Sequence, residues 1–256
     1  MSAVGKALRA TVFRPEKVRP VLVGQGRCIK LVVDAEAPLH KYVGTAEKEL
    51  APYIKRFASP GARCFDVGGY DGHLALTLAR LTGAEVWCFE ASAERVARIE
   101  RNLELNEKLA RHVRLLQTYV ANETVEVPRS DTLDDLVASE TFEPDFVKID
   151  VEGAEMQVLT GATQLLRERK PHLLIEIHSA RLALECLVHL EDVGYHPEPT
   201  IVPQRRWLKE HRGSARNEWI VAAGRDRPTL SSGVLRSVAA DSHTDCAPSL
   251  ETDWRR

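Results

Sequence analysis

The sequence predicts an α/β protein built on a doubly wound, mostly parallel, Rossmann-like sheet with an N-terminal hairpin and helix and an antiparallel C-terminal strand. Three observations carry that expectation. From Cys64 onward, short apolar runs alternate with amphipathic stretches. The runs are continuously apolar, as in strands covered by helices on both faces. One of them ends in a glycine-rich turn into a helix.

Ahead of the sheet, VLVG and RCIKLVVD flank Gly24-Gln25-Gly26 in the manner of a β-hairpin. Ala46, Leu50, Tyr53, Ile54 and Phe57 then recur at helical spacing, predicting one helix over 45–57 with Thr45 as its N-cap. Strands follow at 64–67, 86–89, 113–119, 146–149 and 173–177, and helices over 71–81, 93–106, 133–138, 154–166 and 181–192. After Gly194, runs at 200–202, 206–208 and 219–222 between polar turns read as antiparallel strands finishing the sheet. Residues 227–256 are small and polar with no sustained period, the pattern of a disordered tail. The organisation expected is an extension over 1–43, a main domain over 44–226 and that tail.

The chain has 256 residues, 44% hydrophobic and 28% charged, enough for one sizeable core. Its 35 basic and 37 acidic residues leave a charge of -2, so no basic field marks it for nucleic acid. The first twenty residues lack the apolar run of a signal peptide, and no stretch reaches the length of a membrane span, so a cytoplasmic location is expected. The 5 cysteines show no metal-binding spacing and read as reduced thiols, mostly core filler. Oligomeric state stays open, with a homodimer compatible with the C-terminal edge strands.

The most informative stretch is CFDVGGYDGHLAL, residues 64–76. A glycine-rich strand-to-helix turn lets a ligand approach the backbone at a helix N-terminus, although a tight structural turn has the same composition. The dinucleotide fingerprint places glycines at its first, third and sixth positions; here they fall at 68, 69 and 72, with Asp66 two residues before the first. An NAD site therefore loses its best support. Glu90 ends the run VWCFE 18 residues after Gly72, the distance of an acid that bonds ribose hydroxyls, though an exposed acid at a helix start would look alike.

A third constellation is DFVKIDVEGAEMQVLTGATQLL, residues 145–166, followed by PHLLIEIHSA, residues 171–180. Strand periodicity puts Lys148 with Asp150, and Glu176 with His178, on common faces at the carboxyl ends of two strands, where ligands bind in such sheets. Lys148 inside an apolar strand needs a partner, from Asp150, Glu152 or Glu176.

Together with the turn at 66–72, these segments, the acid ending the second strand and T-L-D-D-L at 132–136 resemble the FkbM family of methyltransferases that use S-adenosyl-L-methionine (SAM). The resemblance covers about residues 40–180 and includes Y-V-G-T-A-E-K-E-L, residues 42–50. It implies a class I methyltransferase fold and SAM as cofactor, held by Asp66, Gly68, Gly69, Tyr70, Asp71, Gly72, Glu90 and Ala91. It also implies O-methylation of a hydroxyl on a sugar, polysaccharide precursor or small natural product. Two residues depart from the common pattern: Gly69 stands where many members have alanine, and Tyr70 where a small or polar residue is frequent. Tyr70 either narrows the pocket or only starts the helix with its hydroxyl in water. Asp134 matches the family segment without a role that its position explains.

Methyl transfer to a hydroxyl wants a general base. Asp150 is the first candidate, at the strand end where the methyl should be presented, and His178 the second. Lys148 and Glu176 complete the catalytic set; Glu152 and Glu155 suit a helix start by charge alone, and Glu152 could instead hold substrate hydroxyls. Asp150, Glu176 and His178 would also suit a divalent ion, but Lys148 competes for the same carboxylates, so no metal is expected. The competing classes are a SAM-fold binding module without catalysis and an NAD-dependent oxidoreductase. Arg205, Arg206, Trp207, Lys209 and Arg212 concentrate charge that could meet an acidic acceptor, or form a solvated basic turn.

Overall fold

The computed structural model describes residues 14, 16–34, 39–126, 129–140, 142–195, 200–203 and 218–225. Strand β1 (Val18–Pro20) pairs antiparallel with β2 (Lys30–Val32), and the pairing runs on through Val21 N to Ile29 O. The hairpin is thus present, its first strand three residues earlier than VLVG. The helix expected over 45–57 is divided. Helix α1 (Leu39–Val43) stops at Gly44 and a 3-10 turn covers Lys48–Leu50. Helix α2 (Ala51–Phe57) starts afresh with Pro52 in its first turn, where a missing N–H costs nothing. Gly44 has φ +84°, and a Cβ there would sit 1.8 Å from the Val23 carbonyl oxygen. Thr45 Oγ1 donates back to His40 O and caps nothing ahead of it.

The main alternation follows as β3 (Cys64–Val67), α3 (His73–Thr82), β4 (Val86–Glu90), α4 (Ala93–Glu104), α5 (Glu107–Ala110) and β5 (Val113–Gln117). Next come β6 (Tyr119–Val120), β7 (Val125–Glu126), β8 (Arg129–Asp131), α6 (Leu133–Glu140) and β9 (Phe146–Ile149). The chain continues through α7 (Glu155–Thr160), α8 (Thr163–Glu168), β10 (His172–Ile177), α9 (Ala180–Asp192), β11 (Thr200–Pro203) and β12 (Glu218–Ala222). The large sheet has the order β11-β12-β10-β9-β3-β4-β5, parallel among β3, β4, β5, β9 and β10, with β12 antiparallel to both neighbours. Its four central strands are buried along their whole length, which explains their unbroken apolar runs. One face packs Phe65, Trp87 and Phe142 in stacked rings; the other packs Phe146, Leu174 and Trp219 against α2 and α3.

Two features depart from expectation. Residues 119–131 form a small sheet of order β6-β8-β7, whose two- and three-residue strands carry too little apolar pattern to be read. The helix expected over 154–166 breaks at Gly161, because the chain there lies against another backbone: a Cβ on Gly161 would be 2.0 Å from Ala121 O. Asp134 gains its role at this break. Its N–H donates to Gly161 O, and its carboxylate accepts the N–H groups of Gln164 and Leu165, capping α8. Cys64, Cys88 and Cys186 are free and buried as expected, while Cys28 is disulfide-bonded, against the reading of every cysteine as a thiol. The run at 206–208, the basic cluster from Arg205 to Arg212 and the tail at 227–256 lie outside the described residues. Among the described residues no helix is long and apolar enough to cross a membrane.

Gly161→Ala should cost more than ~2 kcal/mol, because two backbones must separate, whereas Gly61→Ala, strained at φ +85° but open around its Cβ, should cost about 1 kcal/mol. Urea denaturation of both variants measures the contrast; equal losses would show that the backbone contact at Gly161 is not what breaks the helix.

Candidate active site

Strand order reverses between β3 and β9: from β3 the chain moves outward to β4 and β5, then returns to β9 on the opposite side. Loops diverge there and leave a crevice beyond the strand ends. Register pairs Asp66 directly with Lys148, and Lys148 with Leu174 on β10. A cavity of about 1120 Å³ opens at this point, lined by Asp66, Gly68, Gly69, Tyr70, Lys148 and Asp150, with Glu47 and Lys41 from the N-terminal side. That exceeds the room a drug-sized ligand takes and suits a cofactor together with part of a second molecule.

Lys148 is the centre of the charge arrangement. Its Nζ lies 3.2 Å from Asp150 Oδ2 and 3.7 Å from Asp66 Oδ1, and it donates to Gly68 O at 3.4 Å. Burial alone would lower its pKa, but Asp150, Asp66 and Glu47 outweigh burial and raise it. Asp150 is pulled both ways: burial raises its pKa, yet Lys148 and the hydrogen bond with Glu176 hold it below the usual carboxylate range. Asp66 goes the other way, pushed up to about 6 by burial, against the opposing pull of Lys148. Among the described residues neither of its oxygens has a hydrogen-bond partner nearer than the Lys148 ion pair, although the side chain is fully buried.

The loop after β3 is shaped by protein contacts. A Cβ on Gly68 would fall 1.8 Å from Asp150 O, and one on Gly69 would fall 2.3 Å from Cys88 Sγ. Both glycines thus let the loop nest on neighbouring strands with its backbone along the cavity. Gly72 packs against Ile99. Tyr70 has φ +55°, and its N–H donates to Glu90 Oε2 at 2.9 Å, while Glu90 Oε1 takes the N–H of Ser92. The Tyr70 hydroxyl is not in water: it donates to Asp34 Oδ2 at 2.8 Å, and Lys41 and Arg95 lie over its ring. Asp71 is buried and paired with Lys41 at 2.7 Å. Glu90 and Ala91 stand behind Tyr70 and do not line the cavity wall.

On the β10 side, His178 Nδ1 is 2.8 Å from Glu155 Oε1, and its Nε2 is 4.0 Å from Asp150 Oδ1 and 3.5 Å from Glu152 Oε2. Glu152 is exposed and held at φ +54° in the turn after β9. Asp150, Glu176 and His178 bring ligand atoms within 4.8 Å of one another, a spacing a divalent cation could use. Lys148 already neutralises the same Asp150 carboxylate, as the sequence suggested. The sequence did not single out Lys41, Glu47 or Asn102 for the site. Asn102 accepts from Val32 N and donates to Asp71 O, joining the hairpin to the glycine loop from the buried face of α4, which it shares with Val96 and Ile99.

Strand order, switch point and the antiparallel penultimate strand are those of class I methyltransferases. Residues 114–197 match the model of the methyltransferase FkbM domain. Solved structures of similar fold include a methyltransferase FkbM from Methylobacillus flagellatus KT, at 20% identity and TM-score 0.50, over 64% of this chain and 44% of that one. This chain therefore spans less than half of that protein. A precorrin 8w decarboxylase from Methanobacterium thermoautotrophicum aligns at 17% identity and TM-score 0.52, over 76% of this chain and 97% of that one. The METTL16 methyltransferase domain aligns at 16% and 0.54, over 76% and 73%. At such identities the likeness is one of fold. No curated protein sequence matches the chain.

The raised pKa of Asp66 has a stability consequence. A carboxyl at about 6 in the folded state, against 3.8 in the open chain, favours folding fully below the lower value and loses that contribution as pH rises through 6. Asp66→Asn should therefore stabilise the ligand-free protein at pH 8, by ~1–3 kcal/mol, with the gain vanishing below about pH 4. Urea denaturation at both pH values checks this, and a gain independent of pH contradicts it.

Proposed function

We propose that the protein is a cytoplasmic SAM-dependent O-methyltransferase acting on a hydroxyl of a sugar, polysaccharide precursor or small natural product. The observation that carries this reading is Asp66, a buried carboxylate that lines the cavity beside the glycine loop and has no hydrogen bond among the described residues. A carboxylate so placed suits a cationic ligand group, such as the ammonium of a bound amino acid. The charge balance agrees: Asp66 and Asp150 carry two negative charges against the single one of Lys148, an excess that favours a cationic sulfonium over the diphosphate of a dinucleotide.

The residues fit SAM. Asp66 would hold its amino group and the backbone from Gly68 to Asp71 would run along it with Gly72 opening the helix, while Glu90 and Ala91, outside the cavity wall, would act on it only through the Tyr70 N–H that Glu90 holds. The bound cofactor supplies an activated methyl group, so the chain's own task is to align the acceptor oxygen and take its proton. Asp150, held ionised by Lys148 and so below the usual carboxylate range, is a weak base. His178 is the better base, because its Nε2 lies toward Asp150 and its other nitrogen is already held. Glu152 and Glu176 flank the position where that hydroxyl would sit.

Isothermal titration with S-adenosylhomocysteine, with NADH as control, tests the reading. Binding of the former alone is expected, and Asp66→Ala should weaken it by at least tenfold. NADH binding alone would make the protein an oxidoreductase, and binding of neither would leave a module without this cofactor. With an acceptor found by screening for methyl transfer, His178→Gln should lower turnover by about 10²–10⁴-fold while S-adenosylhomocysteine affinity stays within twofold.

A further inference from the structure

The sequence explains Glu155 by its place at a helix start, but its surroundings ask for more. The side chain is fully buried, and a buried carboxylate is costly unless something holds it. Oε1 accepts the Gly153 N–H at 3.0 Å and meets His178 Nδ1 at 2.8 Å, while Oε2 has no hydrogen bond among the described residues. Helix α7, which it opens, has six residues and offers only a modest end charge.

The geometry points to Glu155 as a positioning residue that forms a carboxylate–imidazole dyad with His178 and fixes which ring nitrogen is bare. This deepens the proposed function, because it rests on His178 being the base. Oε1 is an acceptor for the Gly153 N–H, so it acts as an acceptor for the imidazole as well, and the ring proton sits on Nδ1. Nε2 is then left with its lone pair toward Asp150. In the transfer, the bond from the acceptor oxygen to the methyl carbon forms as the carbon–sulfur bond breaks. The hydroxyl proton moves to Nε2, Nδ1 keeps its own proton, and the buried Glu155 charge balances the imidazolium. The exposed carboxylate of Glu152, 3.5 Å from Nε2, gives the proton a way to solvent.

Two other uses of Glu155 compete with this one. A purely structural role would need only the Gly153 bond. A metal site would leave Nε2 as a ligand atom and use Glu155 as the carboxylate that orients it. The dyad differs from the first in demanding one ring tautomer, and from the second in demanding it without an ion.

The test is long-range proton–nitrogen NMR of the histidine rings in the full-length protein, uniformly labelled with ¹⁵N and treated with EDTA, at pH 8. The His178→Gln spectrum identifies the signal. The expected result is a His178 ring protonated on Nδ1 alone, both free and saturated with S-adenosylhomocysteine. Glu155→Gln should convert it to a mixture in which the Nε2-protonated form reaches at least a third, while thermal unfolding stays cooperative. A wild-type ring protonated on Nε2 overturns the dyad with no variant needed, and so does a tautomer unchanged in Glu155→Gln. A ring that becomes Nδ1-protonated only after Mg²⁺ is added overturns it in favour of a metal site. Failure of S-adenosylhomocysteine to bind is a separate outcome: it overturns the methyltransferase reading, and with it the dyad's purpose, whatever the tautomer shows.

Discussion

The site depends on one buried ammonium. Lys148 sits in the middle of the sheet, where an unpaired charge would cost several kcal/mol, and is sustained by carboxylates from its own strand end and the adjacent strand. Because register sets Asp66 opposite Lys148, the pairing ties β3 to β9 where the strand order reverses. Gly68 lets the loop lie on the Asp150 backbone, so the glycine turn and the charged cluster form one unit. One cation between two anions then leaves an electronegative crevice, and its two carboxylates are made unequal, Asp66 hard to ionise and Asp150 easy.

A second layer fixes the loop from outside. The N-terminal segment reaches over the crevice through the Lys41–Asp71 pair and the bond from Tyr70 to Asp34, which Arg98 also holds at 2.9 Å. Asn102 bonds both the hairpin and the loop. These contacts hold Tyr70 in a left-handed conformation that is rare for an aromatic residue, with its N–H turned to Glu90. The unusual residue at this position is thus the point where the N-terminal segment grips the glycine loop.

Much of the frame was legible, for a physical reason. Strands β3, β9 and β10 are buried on both faces, and burial writes itself as a short apolar run in which a single acid or lysine stands out near the carboxyl end. Strand periodicity put Lys148 and Asp150 on one face, but the pairing of Lys148 with Asp66 did not follow from it, because that contact depends on the register between two strands about eighty residues apart. What failed to show depended on contacts distant in sequence. The break at Gly161 comes from Ala121, forty residues away, and the capping by Asp134 bridges thirty. The grip of Lys41 on Asp71 has no periodic signature, and Asn102, a lone polar residue on the buried face of α4 with Val96 and Ile99, marks a buried contact without naming its two distant partners. Glu155 was visible as a residue but not in its role, because its place at a helix start already accounted for an acid there.

Lys148 neutralises two buried carboxylates that would otherwise oppose the fold. The most direct measurement is the unfolding free energy of Lys148→Met relative to wild type, by urea denaturation at pH 8 and pH 5. Removing the cation should cost roughly 3–5 kcal/mol at pH 8, where both acids are ionised, and distinctly less at pH 5, where Asp66 takes up a proton. A loss that is the same at both pH values, or none at pH 8, would contradict the account.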